Sequence, residues 1–493
     1  MVKTIKNNWQ LIIILVIGLF LRTYKPLELF NYSHDQDLLG WFMRDVLFNH
    51  HLRLIGQETS SHGIFIGPFY YYLQIPFYLL TRLDPAGTVF LSIILGVITI
   101  FSFYYVLKQI FNRNVGLIAA LIYSFSTLIV FTDREVDPTM PVMLWSIWYL
   151  YSLWLVLNGK KYAYLILGIL IGFIWSINLQ FIILLPLILL AQIFSKKKIN
   201  LKELLIGVLV TVILNIPFVA FEVRHGFQQT KAILLSLTSS KDYVAGTATG
   251  LAKLDRVMQL VYKNTTHIFW TDTINIPVTI TFWSLVAIFI FLIYKKKISG
   301  QMGVLLLLWQ ALYIIFFATN SINTSEYYLN GMNVVWIMII SLVLGLLIEM
   351  KKIKFVGIIA IVFFALININ TYSNKPVDAS GYVERKEIIT YIKKDADQHG
   401  FPCVSLSFIT SPGRDLGYRY FTWELSLKTK KISDKVPVYS IVFPHSLVDK
   451  LDKTFGALGL VMPDYKRYNN KIIDESCKGD DYTVTQPMFG FTD

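Results

Sequence analysis

At 493 residues the chain is as long as about three soluble domains, yet 55% of it is hydrophobic, only 16% is charged and its mean hydropathy is +0.54. Charge-free stretches of 16 to 22 residues recur along it, which excludes a soluble protein and specifies a polytopic membrane one. The net charge of +13 does not signify nucleic acid: the basic residues stand in short clusters between apolar spans, as loops facing an anionic leaflet require, and form no basic face interleaved with aromatics.

The first span, 9–24, follows Lys3 and Lys6 and lacks a small-residue cleavage site, so it reads as a retained signal-anchor. Further spans are expected at 86–107, 115–132, 139–157, 162–176, 179–195, 202–221, 277–294, 301–319, 328–348 and 355–370. Basic residues cluster at 3 and 6, 108 and 113, 160 and 161, 196–198 with 202, 295–297, and 351, 352 and 354. All six clusters fall on one side if the apolar stretch 64–80 does not cross. That stretch is therefore expected to be a membrane-dipping hairpin in the first outer loop, and Gly67, Pro68 and Pro76 around its aromatic run 69–72 agree. Eleven spans result, with the N-terminus inside, the C-terminus outside, and a turn near 176–180.

After residue 370 the composition becomes charged. Helical spacing at 383–397 and strand-like runs at 402–409 and 436–443 predict a small α/β outer domain over 371–493. Cys403 and Cys477 are either disulfide-linked there or free. The expected fold class is thus an all-α polytopic membrane bundle over 1–370, with interface helices in its first outer loop and an α/β extracytoplasmic C-terminal domain.

With this topology the ionisable residues gather in the outer loops. The first carries Asp35, Asp37, Arg44, Asp45, Arg53 and His62; the second Asp133, Arg134, Glu135 and Asp137. Asn178 and Gln180 mark the third, Glu222, Arg224 and His225 open the fourth, and Glu326, Tyr327 and Tyr328 lie in the fifth. Carboxylates at one membrane face can act as general bases, a contribution of about 10²–10⁴ in rate, while Arg and His can hold a phosphate. Any one loop charge is otherwise simply solvated.

The run Tyr32-Ser33-His34-Asp35-Gln36-Asp37 is followed by Arg44-Asp45-Val46-Leu47, Leu54-Ile55-Gly56-Gln57 and Gly63-Ile64-Phe65-Ile66-Gly67-Pro68-Phe69-Tyr70-Tyr71-Tyr72-Leu73. This series resembles the opening of bacterial glycosyltransferase-C enzymes of the protein O-mannosyltransferase and aminoarabinose-transferase group, which use polyprenyl-phosphate sugars. Asp133-Arg134-Glu135-Val136-Asp137-Pro138-Thr139-Met140-Pro141 is similar to the family's second acidic motif. Pro217-Phe218-Val219-Ala220-Phe221-Glu222-Val223-Arg224-His225-Gly226-Phe227 and Glu326-Tyr327-Tyr328-Leu329 are similar to segments of a bacterial branch. The resemblance covers roughly 9–350, with a weaker echo at 413–421. Each motif is short, and their order and spacing carry the match.

The resemblance implies inverting transfer of a monosaccharide from a polyprenyl-phosphate carrier to a protein, glycolipid or cell-envelope glycan on the outer face of the plasma membrane. It maps the general base onto Asp35, with Asp37 as fallback because the acidic pair is spaced Asp-Gln-Asp rather than adjacent. The second-motif residue maps onto Asp137, where relatives often carry Asn, so Asp137 is either catalytic or orienting. A lysine found near the third loop in some relatives has no counterpart, which makes Arg224 and His225, then Arg134, the candidates for the donor phosphate. Glu222, Gln180, Asn178, Tyr71, Glu326 and Tyr327 are the expected substrate pocket. Neither cofactor nor resident metal is expected: lipid-linked-oligosaccharide relatives need a divalent ion, but the monosaccharide branch generally does not.

Other residues carry less. His62 reads as a loop histidine, His50 and His51 lack a third ligand, and His267 and Trp270 fit an interface helix. The absence of a glycine-rich phosphate loop argues against a nucleotide donor. The alternative reading, a transporter or lipid flippase, calls for ionisable residues or broken helices near the midplane and for repeats between halves, and the sequence has neither.

Overall fold

The computed structural model describes residues 2–59, 61–236, 250–271, 276–320, 324–433 and 435–486, with side chains from Asn8 onward. The first basic cluster, Lys3 and Lys6, lies outside the described side chains. The chain opens with α1 (Val2–Thr23), then passes through a first loop that holds α2 (His34–Phe48) and α3 (Phe69–Leu80). It continues through α4 (Thr88–Ile110), α5 (Arg113–Phe125), α6 (Thr127–Thr132), α7 (Val142–Leu157), α8 (Ala163–Gly172), α9 (Ile174–Ile177), α10 (Pro186–Ser195), α11 (Leu201–Leu214) and α12 (Ile216–Arg224). Next come α13 (Gln228–Ser236), α14 (Gly250–His267), α15 (Val278–Tyr294), α16 (Gly300–Thr319), α17 (Asn333–Glu349) and α18 (Lys354–Asn374).

All eleven apolar segments are helical. Among the described residues four helices are long and apolar enough to cross a membrane, α11 and α12 make a fifth if their 50° bend is one span, and the other segments form shorter apolar helices. The shortening has local causes. Pro217, at the start of α12, lacks the N–H that would continue α11, and Asn215 at the bend donates to the Thr211 carbonyl (2.8 Å). The expected span 115–132 breaks at Ser126, between α5 and α6. In an apolar environment a freed backbone group must find a partner, and Asn368 of α18 provides it: its Oδ1 accepts from the Thr127 N–H (2.8 Å) and its carbonyl from the Thr127 hydroxyl (2.9 Å).

Packing sorts the helices. On α17 every side chain from Val334 to Ile339 is buried, whereas α18 exposes Phe355, Ile359, Phe363 and Leu366 along its outer face, as a lipid-facing helix does. Helices α8 and α11 touch through glycine. A Cβ on Gly168 would stand 2.2 Å from the Gly207 carbonyl oxygen, so only glycine permits this backbone approach.

Helix α3, at 12 residues, spans about 18 Å, too short to cross a hydrocarbon core of about 30 Å alone. Beyond α18 lies α19 (Tyr382–Gln398), then β1 (Ser405–Thr410), α20 (Arg419–Glu424), β2 (Val438–Phe443), β3 (Lys453–Phe455) and β4 (Leu458–Val461). The sheet runs β1-β2-β4-β3, with β1 and β2 parallel and the other pairs antiparallel. The sequence indicates α19, β1 and β2; β3 and β4 are too short to show a period. Cys403 and Cys477 are joined as a disulfide across 74 residues, a closure worth about 4 kcal/mol in the chain-entropy view.

The expected domain boundary at 370/371 falls inside α18. Nor does the outer domain have a core of its own: Phe30, Tyr32, Leu39, Trp41 and Phe42 of the first loop share one buried cluster with Tyr382, Ile388, Tyr418, Tyr420 and Phe421. Gly40 permits the closest approach, since a Cβ there would lie 2.5 Å from the Tyr420 ring.

Candidate active site

The site begins at the N-terminus of α2. Ser33 caps the helix, and the Gln36 Oε1 returns to the Ser33 N–H (2.8 Å). Acidic residues suit this first turn because the helix end carries partial positive charge. Asp35 and Asp37 are two positions apart, and helical residues at that spacing point to different sides. Asp35 is exposed, and its Oδ1 accepts from the Gln57 side-chain amide (2.9 Å). Asp37 is fully buried, accepts from the Tyr420 N–H (2.9 Å) and the Tyr32 hydroxyl (3.2 Å), and burial raises its pKa. The fallback base is thus walled off against the outer domain.

Asp137 lies in the loop after α6. Its Oδ1 accepts from the Thr139 N–H (2.8 Å) and hydroxyl (2.7 Å). Burial raises its pKa and the nearby Asp35 raises it further, while the Thr139 hydrogen bonds oppose the shift. Two loops far apart in sequence therefore place two carboxylates in one electrostatic neighbourhood. Tyr71 adjoins it from α3: its hydroxyl accepts from the Gln57 N–H (3.2 Å), and burial, then Asp35, Tyr70 and Asp137, raise its pKa. Tyr327 lies within electrostatic reach of the same two aspartates and packs against Tyr328, ring centroids 4.3 Å apart.

Other expected site residues are placed elsewhere. The Arg134 guanidinium donates to the carbonyls of Leu21 (3.3 Å), Tyr24 (2.9 Å) and Lys25 (2.7 Å) and to the Tyr372 hydroxyl (3.0 Å). It serves the open C-terminal end of α1, where carbonyls lack helical partners, and is not presented to a phosphate. Glu222 is buried and accepts from the Gln229 (3.0 Å) and Thr230 (2.9 Å) N–H groups, so it caps α13 rather than lining a pocket. Arg224 is exposed at the end of α12. The His225 Nδ1 meets the Phe221 carbonyl at 2.8 Å, and with His62 and Lys231 the residue lines a cleft of about 420 Å³ beside the tip of the hairpin around Gly63. No hydrogen bond or ion pair joins Arg224 or His225 to Asp35 or Asp137 among the described residues.

Asn178 caps a 3-10 turn by accepting from the Gln180 N–H (3.2 Å). Both polar atoms of the buried Gln180 amide lack a partner among the described residues, leaving one donor and one acceptor ready for a ligand. The third loop does meet the first, since the Trp175 indole N–H donates to the Phe65 carbonyl (2.9 Å). Glu326 pairs with Lys263 of α14 at 3.0 Å. Lys263 is the cation that sequence reading passed over, although Leu251, Leu254, Val257 and Val261 already recur at helical spacing through 250–267.

The first and second loops, the buried outer-domain contact and the helical bundle make up one fold, and two comparisons find known proteins similar to it. The model of the dolichyl-phosphate-mannose-protein mannosyltransferase family matches residues 66–221. ArnT from Cupriavidus metallidurans, solved with undecaprenyl phosphate bound, superposes with a TM-score of 0.62 at 9% identity, covering 94% of this chain and 99% of that one. Its apo form gives 0.61 at 10% identity over 95% and 100%. The apo oligosaccharyltransferase of Archaeoglobus fulgidus gives 0.50 at 14% identity over 88% and 70%. At these identities the likeness is one of fold, and it extends through the outer domain. No curated protein sequence matches the chain. The resemblance carried by the loop motifs thus stands on a family match inside the chain and a fold match along nearly all of it.

Proposed function

We propose that the chain is a polyprenyl-phosphate-dependent glycosyltransferase that moves a monosaccharide, with inversion, onto an acceptor at the membrane face carrying the first loop and the outer domain. The single observation that carries this reading is the exposed Asp35, held by Gln57 and within electrostatic reach of Asp137 on the second loop. Asp35 acts as general base: it takes the proton of an acceptor hydroxyl or amine as that atom attacks the anomeric carbon. The sugar–phosphate bond breaks on the opposite side, and the polyprenyl phosphate leaves with the electron pair. Asp137 orients the acceptor or donor.

Lys263, beside Glu326 and the Tyr327–Tyr328 pair, supplies a cation for the departing phosphate. Arg224 and His225 meet the carrier further out along the hairpin. The likeness to ArnT, which was solved with undecaprenyl phosphate, supports the carrier class. The N-terminus lies inside and the outer domain outside, and no resident metal is invoked.

Mass spectrometry of lipid extracts and surface glycoconjugates, compared between wild-type cells and cells with Asp35→Asn at matched folded levels, tests the reading. A build-up of one polyprenyl-phosphate sugar with loss of one modified acceptor is expected. Identical lipid and glycan profiles would overturn it and leave the flippase reading standing.

A further inference from the structure

Gln36 stands between Asp35 and Asp37 of α2, and its side chain is buried. Its two polar atoms face different loops. The Oε1 accepts from the Ser33 N–H (2.8 Å) and hydroxyl (3.0 Å), which closes the start of α2. The Nε2 donates to the backbone carbonyl of Val136 (3.0 Å), 100 residues on. Val136 is buried and directly precedes Asp137, whose carboxylate is fixed in its own turn by Thr139. Asp35, directly before Gln36, is fixed from the other side by Gln57. One amide hydrogen bond therefore joins the segment that bears Asp35 to the segment that bears Asp137.

We propose that Gln36 is a positioning residue that sets the separation of Asp35 from Asp137 by bracing α2 against the second loop. The inference rests on the reading of these carboxylates given above. Two like charges brought close repel, so nothing in the pair itself keeps the loops together. A brace on the backbone next to each carboxylate does so without occupying an oxygen of either one. Glutamine suits the task because its amide both accepts and donates: the accepting end serves the helix cap and the donating end serves the other loop.

This division gives a discriminating variant. Gln36→Glu keeps an acceptor for Ser33 and adds negative charge at a helix N-terminus, where it is favourable. It loses the donor to Val136 and sets a carboxylate oxygen against that carbonyl. Gln36→Met, of similar size, loses both ends. The donor that accumulates in Asp35→Asn cells is the assay substrate, in lipid nanodiscs, and thermal unfolding is measured alongside.

Gln36→Glu is expected to unfold closer to the wild-type temperature than Gln36→Met does, to keep KM for the donor within about threefold, and to lose about 10²-fold in kcat, the scale for a misplaced reacting group. A direct readout needs no substrate: spin labels at Phe48 of α2 and Glu135 of the second loop should show a broader, displaced distance distribution in Gln36→Glu. Turnover within about twofold of wild type, an unchanged distance distribution, or a melting loss equal to that of Gln36→Met each overturns the proposal. If no donor accumulates, the transferase reading has failed, and the distance measurement alone decides whether Gln36 braces the loops.

Discussion

The side chain of Asp37 accepts a 2.9 Å hydrogen bond from the backbone N–H of Tyr420, 383 residues further along the chain. Asp37 thus links the outer domain to the helix that presents Asp35. The echo of the family motifs at 413–421 contains this contact. In Asp37→Ala the Tyr420 N–H and the Tyr32 hydroxyl lose a buried partner, at about 1–3 kcal/mol for each group left unsatisfied. Amide exchange should then quicken across 418–424 and across α2, and the melting temperature should fall. Asp37→Asn, which keeps an acceptor, should be milder. Unaltered exchange in Asp37→Ala would show that the shared aromatic core alone holds the domain in place.

Arg22 and Asp133 form another long-range polar contact at this face. The guanidinium at the end of α1 meets the carboxylate after α6 at 2.5 Å, both are buried, and the Tyr123 hydroxyl donates to the second oxygen (2.7 Å). Removing one partner strands a buried charge, at about 3–5 kcal/mol, whereas replacing both with apolar groups is often neutral. Arg22→Met and Asp133→Leu should each lower the melting temperature in detergent strongly, and the double variant should recover most of the loss. Additive losses would mean that the two charges are stabilised by other groups.

Lys263 can be separated from the base kinetically. Lys263→Gln removes a cation from beside Glu326 and the tyrosine pair. A charge-assisted contact to phosphate contributes about 1.5–3 kcal/mol, so donor KM should rise about 10–100-fold. Asp35→Asn should keep donor binding and lose turnover. Unchanged donor affinity in Lys263→Gln, together with a loss in Arg224→Ala, would return the phosphate to the end of α12.

The apolar segments stand out because 16 to 22 uncharged residues have no other stable home. Their breaks do not, since the helix is interrupted at Ser126 only where Asn368, 241 residues beyond Thr127, satisfies the freed Thr127 N–H. Choosing between Asp35 and Asp37 needed the phase of α2 and a partner in the outer domain. Arg134 and Glu222 looked like site residues because charged loop residues near a membrane edge do; helix ends with open carbonyls and N–H groups claimed both instead. Lys263 was missed because its helix is amphipathic rather than continuously apolar, and so fell between the expected spans.

The side assignment of the first loop can be checked chemically. If 64–80 is a hairpin, then cysteines at His62 and Arg82, on either side of α3, lie on the same outer face. Both should react with an impermeant maleimide added to intact cells. Reaction of only one from outside, with the other reached only after permeabilisation, would make α3 part of a crossing segment and invert every later loop.

The outer domain and the turn before α4 meet along a polar seam. Lys386 of α19 bridges Asp84 and Glu424, reaching the latter at 3.3 Å, while the Tyr382 hydroxyl donates to Asp84 (2.6 Å). Burial pushes the Glu424 pKa up from 4.5 to about 7; Lys386 opposes the shift and Asp84 adds to it. A carboxyl with a raised native pKa binds its proton more tightly in the folded state than in the unfolded one. Its contribution is therefore intact below pH 4.5, declines as pH rises through the interval up to about 7, and is gone above it. At about 1.4 kcal/mol per pH unit the difference amounts to roughly 3 kcal/mol. Glu424→Gln, fixed in the neutral form, should match the wild type near pH 4.5 and unfold at a higher temperature at pH 8. Melting curves of the two proteins that stay parallel across this range would mean that Lys386 keeps Glu424 ionised throughout, and that the seam is held by the ion pair rather than by a shared proton.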